Sequence, residues 1–209
     1  MEALILVDLQ NDFCPGGALS VKEGDAIIPL INALQEHFAL IVATQDFHPL
    51  NHKSFASHHP GKKPGDVIEL DGLSQILWPD HCVAGTRGAE LVRQLKKNKI
   101  NHVVEKGTDP NIDSYSAFFD NGHKKETGLK EYLQSKKVNH VFIVGLATDY
   151  CVKYTAMDAI GVGFSVTVVI DACRGVDLHP GDVEDAIREM KRLGVRVLLS
   201  DSVIRAGKE

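Results

Sequence analysis

Short apolar runs bounded by turn residues alternate with stretches of helical periodicity along most of the chain. Strands that are buried on both faces read as continuous runs of Val, Ile and Leu, so this alternation predicts βαβ units and a mainly parallel sheet covered on both faces. Six strands are predicted, over 3–7, 38–43, 102–105, 141–144, 165–170 and 195–199. Five helices are predicted, over 25–37, 88–97, 129–136, 152–160 and 181–193. The pattern therefore indicates an α/β fold, a three-layer αβα sandwich around a six-stranded sheet.

One segment, at about 44–87, departs from this alternation. It contains Pro49, Pro60, Pro64 and Pro79 and little sustained periodicity. A connection of this length inside a compact domain is usually functional. Internal repeats and linker-like composition are absent, so we predict a single domain over 1–209 with an insertion at about 44–87.

Composition narrows the classes of partner. The 209 residues are 44% hydrophobic and carry a formal net charge of −5, which argues against a dedicated nucleic-acid or anionic-membrane surface. The longest apolar runs, such as 141–147, are far shorter than the roughly 18 residues that span a bilayer. We expect a cytoplasmic protein with a small-molecule partner, no nucleic acid and no membrane, as a monomer or a homo-oligomer.

Chemically useful side chains follow the predicted strands where each strand ends. Asp8 follows the first run, Asp46 the second, Lys106 the third, and Cys151 lies shortly after the fourth. Ligands of an open parallel sheet bind outside the carboxyl ends of its strands. We therefore expect these four side chains to converge at one edge of the sheet.

Cys151 lies where a strand passes into a helix, a setting that favours a thiolate and directs backbone N–H groups at an oxyanion. The alternative is a small buried apolar side chain, the commonest fate of a free cysteine. Asp8 could accept the thiol proton and Lys106 could hold both anions in place. A turn carboxylate and a solvated lysine are the alternatives for these two residues.

Five of the ten histidines fall between His48 and His81. Asp46 and His48 lie two residues apart, so in an extended segment their side chains share a face, and His81 could complete a three-ligand metal site. His52 is a further candidate ligand. A solvated histidine-rich loop is the alternative for the whole cluster.

Six sequence blocks resemble the nicotinamidases of the isochorismatase-like cysteine hydrolase superfamily. They are DLQNDF at 8–13, DFHP at 46–49, WPDHC at 78–82, KG at 106–107, DSYSAF at 113–118 and GLATDYCV at 145–152. The blocks occur in family order and span nearly the whole chain. The resemblance implies an isochorismatase-like hydrolase fold.

The resemblance also assigns roles to individual residues. It implies that Cys151 attacks the carboxamide, that Asp8 accepts its proton, and that Lys106 lowers the thiol pKa. It implies an oxyanion hole formed by the N–H groups of Ala147 and Cys151, with a cis peptide bond before Ala147. By the same resemblance, three residues wall the ring pocket, Phe13, Trp78 and Tyr115. Three others bind a divalent ion (zinc, or else iron or manganese), namely Asp46, His48 and His81.

The function that the resemblance implies is hydrolysis of the linear amide bond of nicotinamide to nicotinate and ammonia in NAD salvage, through a cysteine thioester, with pyrazinamide as a second substrate. A metal that contacts a ring nitrogen would reject benzamide-like analogues. Whether His52, Ser54 or water completes the coordination stays open at this point. Two alternatives also stay open: hydrolysis of another small amide or carbamoyl group, and a metal-binding or ligand-sensing domain without catalysis.

Overall fold

The computed structural model describes residues 1–206, and the structural statements below concern those residues. Its eight strands are β1 (Glu2–Val7), β2 (Ile41–Asp46), β3 (Val67–Leu70), β4 (Leu73–Ile76), β5 (His102–Lys106), β6 (His140–Leu146), β7 (Ser165–Arg174) and β8 (Arg196–Leu198). Six of them form one sheet in the order β5-β2-β1-β6-β7-β8, and every neighbouring pair is parallel. β3 and β4 form a separate antiparallel hairpin.

The helices cover both faces of the sheet. They are α1 (Ile28–Leu34), α2 (Leu129–Ser135), α3 (Lys153–Gly161), α4 (Asp182–Arg192) and α5 (Ser200–Ala206). Side chains of β1 alternate between two cores, because successive residues of a strand point to opposite faces. Leu4 and Leu6 pack with residues of α1 and α5, whereas Ala3, Ile5 and Val7 pack with residues of α2, α3 and α4. The predicted three-layer α/β architecture is confirmed.

All six strands predicted from the sequence are present, with ends shifted by a few residues. β2 begins at Ile41 and continues to Asp46, so the candidate ligand Asp46 is the last residue of the strand. Four of the predicted helices correspond to α1 to α4, and α5 was not predicted. The prediction of one domain over 1–209 stays a prediction, and 207–209 lie outside the described residues.

The helix predicted over 88–97 is wrong. Two short 3₁₀ turns form at its ends, Arg87–Ala89 and Lys97–Lys99, and no α-helix forms between them. The backbone that follows the first turn pairs instead with the loop after β1: Asn11 N–H donates to Glu90 O (3.0 Å) and Val92 N–H donates to Leu9 O (2.9 Å). Leu91 and Val92 are buried in this extended conformation. Tertiary pairing supplies the hydrogen bonds that a helix would have supplied, so the apolar spacing alone was misleading.

The segment predicted as an insertion, 44–87, contains the end of β2 and the whole β3–β4 hairpin. Past the hairpin it returns to the sheet edge, where Trp78 N–H donates to Ser54 O and Ala56 N–H donates to Trp78 O, both at 2.8 Å. Trp78 and His81 of this segment line one cavity together with Asp46 at the end of β2 and with Ala147, which follows β6. Within the described part of the chain, none of the helices combines the length and apolar character needed to cross a membrane.

Candidate active site

Lys106, the last residue of β5, lies at the centre of a buried polar cluster. Its Nζ lies 2.9 Å from Asp8 Oδ2, contacts Asp46 Oδ1, and lies 3.4 Å from Cys151 Sγ. It also donates to the carbonyl oxygen of Ser114 at 2.9 Å. The lysine is only 1% exposed, so these partners replace its solvent. The structure thus brings together Asp8, Lys106 and Cys151, which the sequence places far apart.

Asp8 directly follows β1 and has a positive φ of 49°. Thr44 on the neighbouring strand β2 forms two hydrogen bonds with Asp8. The Asp8 N–H donates to Thr44 Oγ1 at 3.1 Å, and the Thr44 hydroxyl donates to Asp8 Oδ1. These two bonds fix one carboxylate oxygen on Thr44 and leave the other, Oδ2, toward Lys106. Thr44 was not predicted as a site residue, and its place near the end of β2 was the available signal for it.

Cys151 lies in a π-helical turn, Thr148–Val152, that joins β6 to α3. The peptide bond Leu146–Ala147 is cis, as the resemblance implies. Within this turn the N–H groups of Tyr150 and Val152 both donate to Ala147 O, at 3.1 and 3.0 Å. Cys151 is buried, at 6% exposure, and lines the same cavity as Ala147.

Burial and neighbouring charges shift the pKa values of the two carboxyl groups around Lys106 in opposite directions. Burial raises the pKa of Asp8 above its usual value, and neighbouring Asp46 adds to this effect against the pull of Lys106. For Asp46 burial acts the same way, but Lys106 and His48 outweigh it and hold its pKa well below the usual value. Burial opposes the charge on Lys106, yet Asp46 and Asp8 together raise its pKa well above the usual value. Asp46 is therefore the permanent anion and Asp8 the better proton acceptor.

The thiol itself is neutral at rest. Burial raises the pKa of Cys151 well above its usual value, Lys106 lowers it, and the two carboxylates raise it again. Lys106 acts in the direction that the resemblance implies, but burial is the larger effect. Cys151 therefore needs a base during its attack, and Asp8 is the adjacent group with a raised pKa.

Asp46, His48 and His81 offer three buried ligand atoms that all lie within 4.8 Å of one another. Asp46 Oδ2 lies 3.7 Å from His48 Nε2 and 3.8 Å from His81 Nε2. The other nitrogens of the rings are bound to carbonyl oxygens, His48 Nδ1 to Gly107 O (2.9 Å) and His81 Nδ1 to Pro79 O (2.8 Å). A carbonyl can only accept, so each Nδ1 carries a proton, and in the neutral ring each Nε2 presents a lone pair.

These residues fit a divalent metal ion. His48 Nε2 is fully buried and has no hydrogen-bond partner, an unsatisfied acceptor that a metal would satisfy. One carboxylate and two neutral imidazoles are also the donors that zinc and similar ions take. The structure places a second set of ligand atoms beside the first, formed by His48, His52 and Asp113. His52 Nδ1 bonds Ser54 Oγ at 2.7 Å.

An aromatic cavity lies between this metal-binding group and the thiol. All three pocket residues implied by the resemblance, Phe13, Trp78 and Tyr115, line it together with Cys151. Tyr150 also lines it, with its ring 5.0 Å from Trp78 and 5.5 Å from Tyr115 between centroids. Three further lining residues were not predicted either, Leu19, Asp113 and Val176. Tyr150 directly precedes Cys151, and this position in the sequence could have predicted that it lines the cavity.

Comparisons with known proteins identify the family of this chain. The family model for the isochorismatase domain matches residues 2–202, and the chain belongs to the isochorismatase family. A nicotinamidase of Escherichia coli is 48% identical over 196 residues, covering 92% of each chain. The family match and this relative confirm the family resemblance inferred from the six sequence blocks.

Solved structures give the same result. A nicotinamidase pyrazinamidease of Acinetobacter baumanii has a TM-score of 0.94 at 47% identity, covering 97% of each chain. A yeast nicotinamidase bound to the inhibitor nicotinaldehyde has a TM-score of 0.90 at 35% identity, with 95% of this chain and 100% of that one covered. A pyrazinamidase of Pyrococcus horikoshii in complex with zinc has a TM-score of 0.78 at 42% identity, with 95% of this chain and 98% of that one covered.

Proposed function

We propose that the protein is an amidohydrolase that converts nicotinamide to nicotinate and ammonia, and that it hydrolyses pyrazinamide as well. A role in NAD salvage is part of the same proposal. The observation that carries it is Lys106, whose Nζ contacts Asp8 and Asp46 and lies 3.4 Å from Cys151 Sγ at the end of an aromatic cavity. The names of the relatives with 47% and 48% identity support the substrate.

Acylation begins with a proton transfer from Cys151 to Asp8. As the S–H bond breaks, sulfur forms a bond to the carboxamide carbon, and the carbonyl electron pair moves onto oxygen. The N–H groups of Ala147 and Cys151 donate to this oxyanion. When the C=O bond reforms, the C–N bond breaks, Asp8 returns its proton to nitrogen, and ammonia leaves a thioester on Cys151.

Deacylation reuses the same groups. Asp8 takes a proton from a water molecule whose oxygen attacks the thioester carbon, and the tetrahedral intermediate collapses with cleavage of the C–S bond. Asp8 returns its proton to sulfur, and the nicotinic acid formed loses its carboxyl proton to solvent and leaves as nicotinate. Lys106 stays charged throughout, since Asp46 and Asp8 raise its pKa well above the usual value, and it limits repulsion between the developing thiolate and the two carboxylates.

Asp46, His48 and His81 would hold the metal ion, which we propose to be zinc because the relative from Pyrococcus horikoshii is in complex with zinc. The bound ion supplies a Lewis-acid contact for the ring nitrogen of the substrate. Phe13, Trp78 and Tyr115 bind the flat ring by aromatic packing and exclude water from the thiol. Together these contacts would orient the carboxamide toward Cys151.

The proposal also covers the organisation of the chain. Residues 1–209 act as one isochorismatase-like domain, in which the 44–87 segment binds metal and substrate. The net charge of −5 supports a small-molecule partner rather than nucleic acid or a membrane, and a cytoplasmic location is part of the proposal.

The test is ammonia release by purified, metal-analysed protein from nicotinamide, pyrazinamide and benzamide in parallel. We expect release from the first two and little from benzamide, which has no ring nitrogen. Absence of release from both heteroaromatic amides by folded, metal-loaded protein would contradict the proposal. Equal rates with benzamide would contradict the role given to the ring nitrogen.

A further inference from the structure

Gln75 is the one buried residue among the eight paired residues of the β3–β4 hairpin. It lies on β4 and is 3% exposed, while Ser74 before it is exposed and Leu73 and Ile76 are half-buried. The side chain therefore points inward from the hairpin. A buried amide keeps its place only if hydrogen bonds replace the lost water, so its partners indicate what it does.

The partners of Gln75 lie in the wall of the substrate cavity. Its Nε2 donates to Ile76 O at 2.7 Å and lies 3.3 Å from both Asp113 Oδ2 and Tyr115 Oη. A carbonyl and a carboxylate can only accept, so they settle which end of the amide is the nitrogen. Tyr115 Oη also accepts from Trp78 Nε1 at 3.2 Å. Two donors thus fix the position of one tyrosine hydroxyl.

This hydroxyl joins the parts of the wall to one another. The rings of Trp78 and Tyr115 are 6.5 Å apart and nearly perpendicular, and both line the cavity that contains Cys151. The segment that carries Tyr115 also provides Ser114 O, which accepts from Lys106 Nζ at 2.9 Å. Gln75 is therefore bonded to the aromatic wall, whereas Lys106 contacts Asp8, Asp46, Ser114 and Cys151.

We infer that Gln75 is a positioning residue that holds Tyr115 at its angle to Trp78 and so sets the affinity of the pocket for a flat heteroaromatic ring. The inference rests on the proposed function and deepens it, because it assigns to the β3–β4 hairpin the selection of the ring. Gln75 acts through Tyr115 on substrate binding and leaves the bond-making step to the groups around Lys106.

The main test compares Gln75→Leu with the wild-type protein in nicotinamide hydrolysis. Loss of the amide donors should raise KM about 3- to 10-fold, the equivalent of one net hydrogen bond, while kcat stays within about twofold. Gln75→Glu has nearly the same shape but lacks the donors and faces Asp113, so it should raise KM further. Gln134→Leu on the exposed face of α2 is the matched control and should change neither constant.

A double-mutant cycle separates positioning from general loosening of the hairpin. Tyr115→Phe removes the hydroxyl that Gln75 holds, so adding Gln75→Leu to it should raise KM by less than about twofold. A full, additive increase in that background would overturn the inference. A fall in kcat equal to the rise in KM, or an unchanged KM in both Gln75 variants, would overturn it as well.

Trp78 provides a readout that does not depend on catalysis, because it is the only tryptophan of the chain. Gln75→Leu should red-shift its emission in folded protein, since Tyr115 no longer holds the indole N–H in a closed wall, whereas Gln134→Leu should not. An unshifted emission would contradict the inference. If the wild-type protein releases no ammonia from either heteroaromatic amide, the proposed function fails. The emission of Gln75→Leu and Gln134→Leu then still tests the role of Gln75, because it does not depend on catalysis.

Discussion

Asp46 and Lys106 are register partners at the ends of β2 and β5, and their side chains form an ion pair. Asp46 contacts Lys106 through Oδ1, while its Oδ2 faces His48 and His81 at 3.7 and 3.8 Å. One carboxylate therefore belongs both to the candidate metal site and to the cluster around the thiol. Changes at Asp46 should affect metal binding and chemistry together.

Asp46→Asn tests this shared role. The amide keeps the shape but removes the charge, so the ion loses its only carboxylate among Asp46, His48 and His81, and Lys106 loses one of its two anions. We expect metal content to fall to a small fraction of one ion per chain and kcat/KM to fall on the order of 100-fold or more. Elemental analysis and ammonia release measure the two effects. His179→Ala, at a strongly exposed histidine, is the control, and full metal content in Asp46→Asn would contradict the assignment.

Lys106→Met should cost stability as well as activity. It removes the cation that contacts two buried carboxylates, and breaking a buried ion pair from one side costs about 3–5 kcal/mol. Urea unfolding should show this loss in the free energy of unfolding, with ammonia release near background. Lys22→Met changes an exposed lysine and should leave both quantities near the wild-type values. A Lys106→Met protein as stable as the wild type would mean that the cluster is not charged as described.

Cys151→Ala should abolish turnover while the protein stays folded. The side chain is small and its removal leaves the ion pairs of Lys106 with Asp8 and Asp46 intact, so we expect a fall in kcat of more than about a thousandfold with little change in the thermal midpoint. Cys173→Ala is the matched control. Cys173 is also buried, but burial raises its pKa to about 12, and it bonds Val169 O away from the cluster. Substantial activity in Cys151→Ala would exclude it as the nucleophile.

Thr44→Val should reduce kcat without a large change in KM. The valine removes the hydroxyl that donates to Asp8 Oδ1 and accepts from the Asp8 N–H, so the proton acceptor loses its fixed orientation. Loss of one such contact predicts a decrease of about 10-fold in kcat. Thr44→Ser keeps the hydroxyl and should restore most of the activity. Equal kcat in Thr44→Val and Thr44→Ser would mean that the orientation of Asp8 does not limit the reaction.

The amino-acid sequence by itself determined the sheet and the residues that surround its carboxyl edge. Buried parallel strands must be apolar on both faces, so all six were visible as runs of Val, Ile and Leu. Their ends mark one edge, and for that reason Asp8, Lys106 and Cys151 could be expected to meet there. The spacing of Asp46 and His48, together with His81, also indicated the metal-binding group.

Only the tertiary structure decided which groups touch and what charge each carries. The bond from Thr44 to Asp8 and the shared position of Asp46 depend on the register between strands, which a single run of residues does not encode. Gln75 reaches Tyr115 because the hairpin folds over the sheet edge. The helix predicted over 88–97 failed because pairing with the loop after β1 outweighed local propensity. The raised pKa of Cys151 follows from burial, and burial is a property of the folded chain alone.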